Sequence, residues 1–159
     1  MAAHRDVAAR RTVALVGPSS AGKTSLAEAL LWKAGALGSP GSVERGSTVS
    51  DWDPLEKRLL RSLNASLLHV EHGGITTYLI DTPGAPDGLG QALPALEAVE
   101  SVAVVINAAV GIGSMAVRMM QWAKERDRDR LIVVNRIDTP AADLPALLAQ
   151  IQAAFGKEC

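Results

Sequence analysis

The sequence of 159 residues contains one cysteine, no long apolar run and little net charge. Cys159 is the last residue and cannot form an internal disulfide, which permits a reducing compartment without proving one. No stretch approaches the roughly 20 apolar residues of a membrane span, and the N-terminus lacks the apolar core of a secretory signal. A formal net charge of -1 gives no general attraction to nucleic acid. We therefore expect a cytoplasmic protein with no membrane contact and no direct DNA binding.

The composition is typical of one globular domain, with 48% apolar residues, 21% charged residues, 14 Gly and 8 Pro. A chain of this length buries most of its apolar surface without disulfides or a structural metal. We expect a flexible tail over residues 1–11 and one folded domain over residues 12–159.

Short apolar runs alternate with helical patterns along the chain. Strands are predicted at residues 12–16, 63–70, 75–80, 102–106 and 131–134, with a hairpin turn at His72, Gly73 and Gly74. Helices are predicted at residues 24–34, 54–61, 91–99, 114–125 and 142–155. The second has Asp53 as its N-cap, and the last carries an apolar stripe of Leu144, Leu147, Leu148, Ile151 and Phe155.

Residues 35–50 are rich in Gly, Ser and Pro and predict a long loop. The alternation of strands and helices predicts an α/β fold with a mainly parallel sheet flanked by helices. In such a sheet the ligand lies at the carboxyl ends of the strands.

A glycine-rich motif follows the first predicted strand and precedes the first predicted helix. Its pattern, G-x-x-x-x-G-K-[ST], runs from Gly17 to Thr24 and lets successive backbone N–H groups face a phosphate. Lys23 is expected to reach the β and γ phosphates, and the Thr24 hydroxyl to bind Mg²⁺. The predicted nucleotide contacts of this P-loop are Gly17, Ser20, Ala21, Gly22, Lys23, Thr24 and Ser25.

A second motif, D-x-x-G, follows the strand at residues 75–80 and runs from Asp81 to Gly84. An aspartate at this place lies beside Mg²⁺, and the Gly84 N–H can reach the γ-phosphate. The same pattern alone is also a common turn, so its position after a strand is what favours a role in the site.

A third motif, Asn135, Arg136 and Asp138, follows the strand at residues 131–134. The Asp138 carboxylate can accept two hydrogen bonds from the ring N–H and the amino group of guanine. Adenine lacks this donor pair, so it would leave polar atoms unpaired. The motif therefore predicts a guanine nucleotide, and an ATP-using P-loop enzyme is the less favoured alternative.

The three motifs, in this order and at about these separations, resemble those of translational GTPases. The chain is similar to the N-terminal G domain of elongation factor G, and nearer still to divergent bacterial elongation factor G-like proteins. The likeness includes residues 42–53 and 154–159 and runs from about Arg11 to the end. It implies a P-loop NTPase fold, binding of GTP or GDP with Mg²⁺, GTP hydrolysis and action on the ribosome. Nothing after Asp138 resembles the family's final base-contacting Ser-Ala loop, so we expect a fragment that stops before the last strand and helix.

The resemblance also implies two switch segments. Residues 35–63 correspond to switch I, in which one hydroxyl completes the Mg²⁺ shell; Ser62 is our prediction and Thr48 is the alternative. Residues 84–90 correspond to switch II. The implied metal ligands are Thr24, Ser62 and Asp81, and the implied catalytic contacts are Lys23 and Gly84.

Departures from the family pattern concern activity and affinity. Elongation factor G usually has histidine directly after the D-T-P-G motif, whereas Ala85 can neither hydrogen-bond nor titrate. Asp87 is a weaker candidate for orienting water, and His69 and His72 are expected to be hairpin residues. Arg136 replaces the usual lysine, and its aliphatic stem can still cover the base. Two functions stay open: a hydrolysing switch, and a nucleotide-dependent module that docks on a ribosome or protein without useful hydrolysis.

Overall fold

Five strands form one sheet in the computed structural model, which describes residues 7–157: β1 (Arg10–Val16), β2 (Ser66–His72), β3 (Ile75–Asp81), β4 (Ser101–Asn107) and β5 (Asp129–Asn135). Their order across the sheet is β2-β3-β1-β4-β5. β1 is parallel to β3 and β4, and β4 is parallel to β5, whereas β2 is antiparallel to β3. The predicted mainly parallel sheet is confirmed.

The helices are α1 (Lys23–Lys33), α2 (Pro54–Leu59), α3 (Leu89–Glu97), α4 (Ser114–Glu125) and α5 (Leu144–Phe155). All five were predicted, with boundaries that differ by two residues or fewer. The predicted N-cap of α2 is confirmed, because the Asp53 carboxylate accepts the Leu55 N–H and Glu56 completes a capping box. Within residues 7–157 no helix has the length and apolar character that crossing a bilayer requires.

The first strand starts two residues earlier than predicted. Arg10 and Arg11 pair with Thr76 and Thr77 of β3, and Val7–Ala9 forms a 3-10 turn. This part of the predicted 1–11 tail is therefore structured, because the edge of β3 offers backbone hydrogen bonds even to residues with charged side chains. Residues 1–6, Glu158 and Cys159 lie outside the described part of the chain.

The hairpin between β2 and β3 turns at Gly73 and Gly74, as the sequence predicted. Both have positive φ, 58° and 79°, the conformation that a two-residue hairpin turn with the twist of its strands requires. His69 and His72 are exposed residues of this hairpin, in agreement with their predicted place.

Apolar side chains on alternate residues of β1 face opposite layers of helices. Ala14 and Val16 belong to the larger core with α3, α4 and α5, whereas Leu15 packs with Ala27 of α1 on the other face. The stripe predicted for α5 was too wide. Leu147 and Ile151 are buried and Phe155 packs against the same core, but Leu144 and Leu148 remain 43% and 49% exposed because only one narrow side of the helix meets the sheet.

Candidate functional site

The P-loop connects β1 to α1 at the carboxyl edge of the sheet, and its two outer glycines have no room for a side chain. Gly17 has φ of 136°, and a Cβ there would lie 2.4 Å from the carbonyl oxygen of Val105. Gly22 has φ of 89°, and its Cβ would lie 2.3 Å from Nδ2 of Asn135. The tight curl of the loop therefore depends on glycine at both positions.

A cavity of about 360 Å³ opens above this loop. Its wall is formed by the P-loop, the segment between α1 and β2, switch II and the loop after β5. Among the predicted contacts, the cavity is lined by Ser20, Gly22, Lys23, Thr24, Ser25, Ser62, Gly84 and Arg136. Gly17, Ala21, Asp81, Asn135 and Asp138 are not among the residues that line it.

Lys23 turns back into the P-loop. Its Nζ donates hydrogen bonds of 3.0 Å to the carbonyl oxygens of Gly17 and Pro18, and only 6% of the residue is exposed. Burial lowers the pKa of Lys23 to about 8, and the attraction of Asp81 opposes this change. The ammonium is therefore mostly charged at neutral pH and lies at the cavity where an anion would bind.

Two hydroxyl groups and two carboxylates form a cluster beside Lys23. The Thr24 hydroxyl donates to Oδ2 of Asp81 at 2.7 Å, and the Ser62 hydroxyl donates to Oδ1 of Asp51 at 2.7 Å. The Thr24 and Ser62 oxygens lie 3.2 Å apart. Because both protons are directed to carboxylates, the two oxygens face each other through lone pairs, an arrangement that favours a cation between them.

Asp81 is 1% exposed, and its Oδ1 atom has no hydrogen-bond partner. Burial raises the pKa of Asp81 to about 6, opposed first by the Thr24 hydrogen bond and then by the charge of Lys23. The Ser50 hydroxyl also lowers this pKa, although it is not oriented to form a hydrogen bond. A buried carboxylate oxygen without a partner is costly unless a ligand or cation pairs with it.

Asp51 was not predicted from the sequence, although it is 2% exposed and central to the cluster. Its Oδ2 accepts the Thr48 hydroxyl at 3.1 Å, and its Oδ1 accepts Ser62. Of the two predicted switch I hydroxyls, the structure therefore brings Ser62 beside Thr24, whereas Thr48 supports Asp51. The only sequence signal for Asp51 was an acidic residue in a loop next to Trp52, which any solvated loop can have.

Gly84 lies directly against the P-loop. A Cβ at this position would be 2.4 Å from Nζ of Lys23 and 2.6 Å from the backbone nitrogen of Ser19. Ala85, next in the chain, is 6% exposed. Asp87, the weaker candidate for orienting water, instead pairs with Arg61 at 3.2 Å, which joins the end of α2 to the segment after β3.

The loop after β5 contacts the P-loop through Asn135. Its Nδ2 donates to the carbonyl oxygen of Ala21 at 3.0 Å, so the two loops hold a fixed relation. Arg136 has φ of 58° and lines the cavity, whereas Asp138 is exposed. Arg136 thus borders the cavity, and Asp138 lies farther along the same loop.

The described residues contain no group of three or more His, Cys, Asp or Glu side chains that could hold a metal ion. A cation at the Thr24 and Asp81 cluster would therefore depend on hydroxyl oxygens and oxygens of a bound ligand in addition to the Asp81 carboxylate. The spacing suits this, because neighbouring ligands of octahedral Mg²⁺ are about 3 Å apart when each lies about 2.1 Å from the ion.

Comparisons with known proteins agree with this geometry. The family model of the elongation factor Tu GTP-binding domain matches residues 8–159. The chain is 38% identical over 146 residues to an elongation factor G-like protein of Mycobacterium tuberculosis. The aligned region covers 92% of the chain and 20% of that protein. It is 33% identical over 162 residues to peptide chain release factor 3 of Nitrosomonas eutropha. This aligned region covers 99% of the chain and 30% of that protein.

A crystal structure of a protein from Thermus thermophilus superposes with a TM-score of 0.88 at 35% identity, over 92% of this chain and 22% of that one. The chain thus spans less than a third of the length of each of these relatives. The P-loop α/β fold predicted from the motifs is confirmed.

Proposed function

We propose that this chain is a GTP-binding switch of the elongation factor G type. It belongs to the translational GTPase family, whose members carry the elongation factor Tu GTP-binding domain that matches this chain. The observation that carries the proposal is the P-loop cavity: buried Lys23 and Thr24 line it, and Asp81, which accepts the Thr24 hydroxyl, keeps one buried oxygen without a partner. Lys23 needs an anion and Asp81 needs a cation. A nucleoside phosphate with Mg²⁺ supplies both.

The phosphates are assigned to the P-loop. The P-loop residues that line the cavity lead into the N-terminus of α1, where free backbone N–H groups and the helix dipole favour an anion. Lys23 reaches the β and γ phosphates once its ammonium leaves the two carbonyl oxygens that it now contacts. Gly84, which has only backbone to offer, presents its N–H to the γ-phosphate.

The residues fit Mg²⁺. Thr24, Ser62 and Asp81 are the proposed ligands, and Asp51 joins them as the acceptor that orients the Ser62 hydroxyl. When bound, Mg²⁺ neutralises charge on the β and γ phosphate oxygens. Because Ser62 would bind the ion through its oxygen, the position of the segment that follows α2 would depend on what the cavity holds.

Base recognition is assigned to the loop after β5. Asp138 accepts the two N–H donors of guanine, Asn135 keeps the loop against the P-loop, and the stem of Arg136 covers the nucleotide. Competition of GDP and ADP for a fluorescent guanine nucleotide tests this assignment. Equal affinity, or a preference for ADP, would remove the guanine proposal and leave an ATP-using P-loop protein.

Hydrolysis is assigned to phosphate positioning by Lys23 and Gly84, with a partner completing the site. The partner proposed from the family is the ribosome, and the proposed location is the cytoplasm. Intrinsic turnover is expected to be slow, because Ala85 has no group that can hold water and Asp87 is engaged by Arg61. Both observations also favour the second candidate, a nucleotide-dependent binding module without useful hydrolysis.

Single-turnover phosphate release separates the two candidates. The protein is loaded with radiolabelled GTP and Mg²⁺, and release is followed with and without ribosomes. Ribosome-stimulated release supports the switch. Nucleotide-dependent ribosome binding without release supports the module, and absence of both would leave only the nucleotide site.

A further inference from the structure

Glu28 is a buried carboxylate that the proposed nucleotide site does not use. It lies on α1 between the buried residues Ala27 and Leu31 and is 1% exposed. Glutamate is almost never buried to this degree unless its charge is paired or hydrogen-bonded. The partners of Glu28 therefore indicate what this side chain does.

Both oxygens of Glu28 accept backbone N–H groups from the long loop between α1 and α2. Oε2 accepts the Gly41 N–H at 2.7 Å, and Oε1 accepts the Val49 N–H at 2.6 Å. Hydrogen bonds to a charged group are about twice as strong as neutral ones. One side chain of the phosphate-binding helix thus holds the loop at two points that are eight residues apart.

Between these two points the loop closes on itself. The Gly46 N–H bonds to the Val43 carbonyl at 3.0 Å, and the Ser47 N–H bonds to the Ser42 carbonyl at 3.1 Å. At the neck, a Cβ on Gly41 would lie 2.4 Å from the carbonyl oxygen of Ser47, so only glycine fits. The segment 41–49 is therefore a small closed loop whose two ends rest on Glu28.

The chain leaves this loop directly into the proposed metal cluster. Asp51 follows Val49 by two residues and accepts the Ser62 hydroxyl, whose oxygen lies 3.2 Å from Thr24. Thr24 and Glu28 are four residues apart in α1 and therefore lie on the same face of the helix. Glu28 fixes the loop one turn away from the place where Thr24 meets Ser62.

We propose that Glu28 is a positioning residue, whose carboxylate holds both ends of the 41–49 loop on α1 and thereby keeps Asp51 and Ser62 against Thr24. The tether itself depends only on the contacts described. The tether is expected to strengthen the effect of Mg²⁺ on the retention of bound nucleotide, and this expectation rests on the proposed function.

The first test uses the unaltered protein and amide hydrogen exchange. The Gly41 and Val49 amides should exchange at least about tenfold more slowly than the amide of Glu44, which lies at the exposed tip of the same loop. Exchange of all three at the same rate would overturn the tether. This measurement decides the point even where a Glu28 variant fails to fold.

The second test is Glu28→Gln, which keeps one acceptor oxygen but turns an NH₂ group toward one of the two N–H donors. Trypsin should then cleave after exposed Arg45 about tenfold faster. The Mg²⁺ concentration that halves the rate of GDP release should also rise about tenfold, with GDP affinity in EDTA unchanged. Glu125→Gln, at an exposed glutamate of α4, is the matched control and should leave both readouts at the unaltered level.

Unchanged cleavage and an unchanged Mg²⁺ response in Glu28→Gln would overturn the proposal, as would equal losses of GDP affinity with and without Mg²⁺. Faster cleavage with an unchanged Mg²⁺ response would show a tether that does not position the cluster, which also overturns it. If the unaltered protein bound no GDP, the proposed function would fail, and exchange and cleavage would still decide the tether.

Discussion

Replacing Asp81 by asparagine gives the sharpest test of the site, because the expected sign of the effect reverses when ligand is added. In the ligand-free protein the ionised carboxylate is buried and one of its oxygens has no partner. In the Asp81→Asn variant, the side-chain amide oxygen would still accept the Thr24 hydroxyl. The substitution therefore removes a buried charge at little loss of hydrogen bonding.

The magnitude follows from the pKa of Asp81, which burial raises from 3.8 to about 6. Each pH unit between these values costs about 1.4 kcal/mol of stability, so the ionised group destabilises the folded protein by up to about 3 kcal/mol. In this window the folded protein binds more protons than the unfolded chain does, so stability falls as pH rises. Asp81→Asn should match the unaltered protein near pH 4, exceed it increasingly up to about pH 6 and remain the more stable protein above.

Urea unfolding in EDTA between pH 4 and pH 8 measures this difference, and groups that do not interact with Asp81 cancel. Asp87→Asn is the control, because Asp87 is 65% exposed and its pair with Arg61 contributes less than about 1 kcal/mol. With Mg²⁺ and GDP at about 100 times the dissociation constant, the unaltered protein gains about 2.7 kcal/mol. The variant should gain far less. A less stable variant in EDTA at pH 7.5, or a difference independent of pH, would refute the reasoning.

Three further predictions concern the nucleotide and the loop. Lys23→Met should weaken GDP binding about 10- to 100-fold in isothermal titration calorimetry, since one charge-assisted contact is lost. In the unaltered protein, the affinity for GDP should fall as pH rises above about 8, where Lys23 loses its proton. An affinity that does not change with pH would argue against a contact between Lys23 and phosphate. Asp138→Asn should exchange a preference for GDP for one for xanthosine diphosphate, and unchanged GDP binding would contradict base reading. Gly17→Ala should lower stability by about 2–4 kcal/mol in thermal unfolding, because its Cβ meets the Val105 carbonyl and its φ is 136°, whereas Gly38→Ala has open space and should change little.

The sequence predicted those parts of the fold that local backbone geometry controls. Glycines at 17, 22, 73 and 74 mark turns with positive φ, and each such turn joins elements that the apolar pattern had already located. The Asp53 cap of α2 is equally local, since its partners lie within three residues. Such features depend on neighbours in the chain, so they can be read from the sequence.

Asp51 and Glu28 were not predicted, because their partners are set by how a long loop folds over α1. Glu28 had one overlooked signal: it stands beside Ala27, on the side of the helix that meets the sheet. A carboxylate on that side requires a partner that the helix itself cannot supply. Asp51 had no comparable signal, since its burial follows from contacts with Thr48 and Ser62 that only the folded loop creates.

The two pKa changes at the site have one cause and one consequence. Burial without a ligand disfavours the charged forms of both Lys23 and Asp81, lowering the first pKa and raising the second. A phosphate beside Lys23 and a cation beside Asp81 would each restore the charged form. Because the two ions also attract each other, binding of either lowers the cost of the other, and the coupling must be reciprocal. We therefore expect nucleotide and Mg²⁺ to bind together more tightly than either would bind alone.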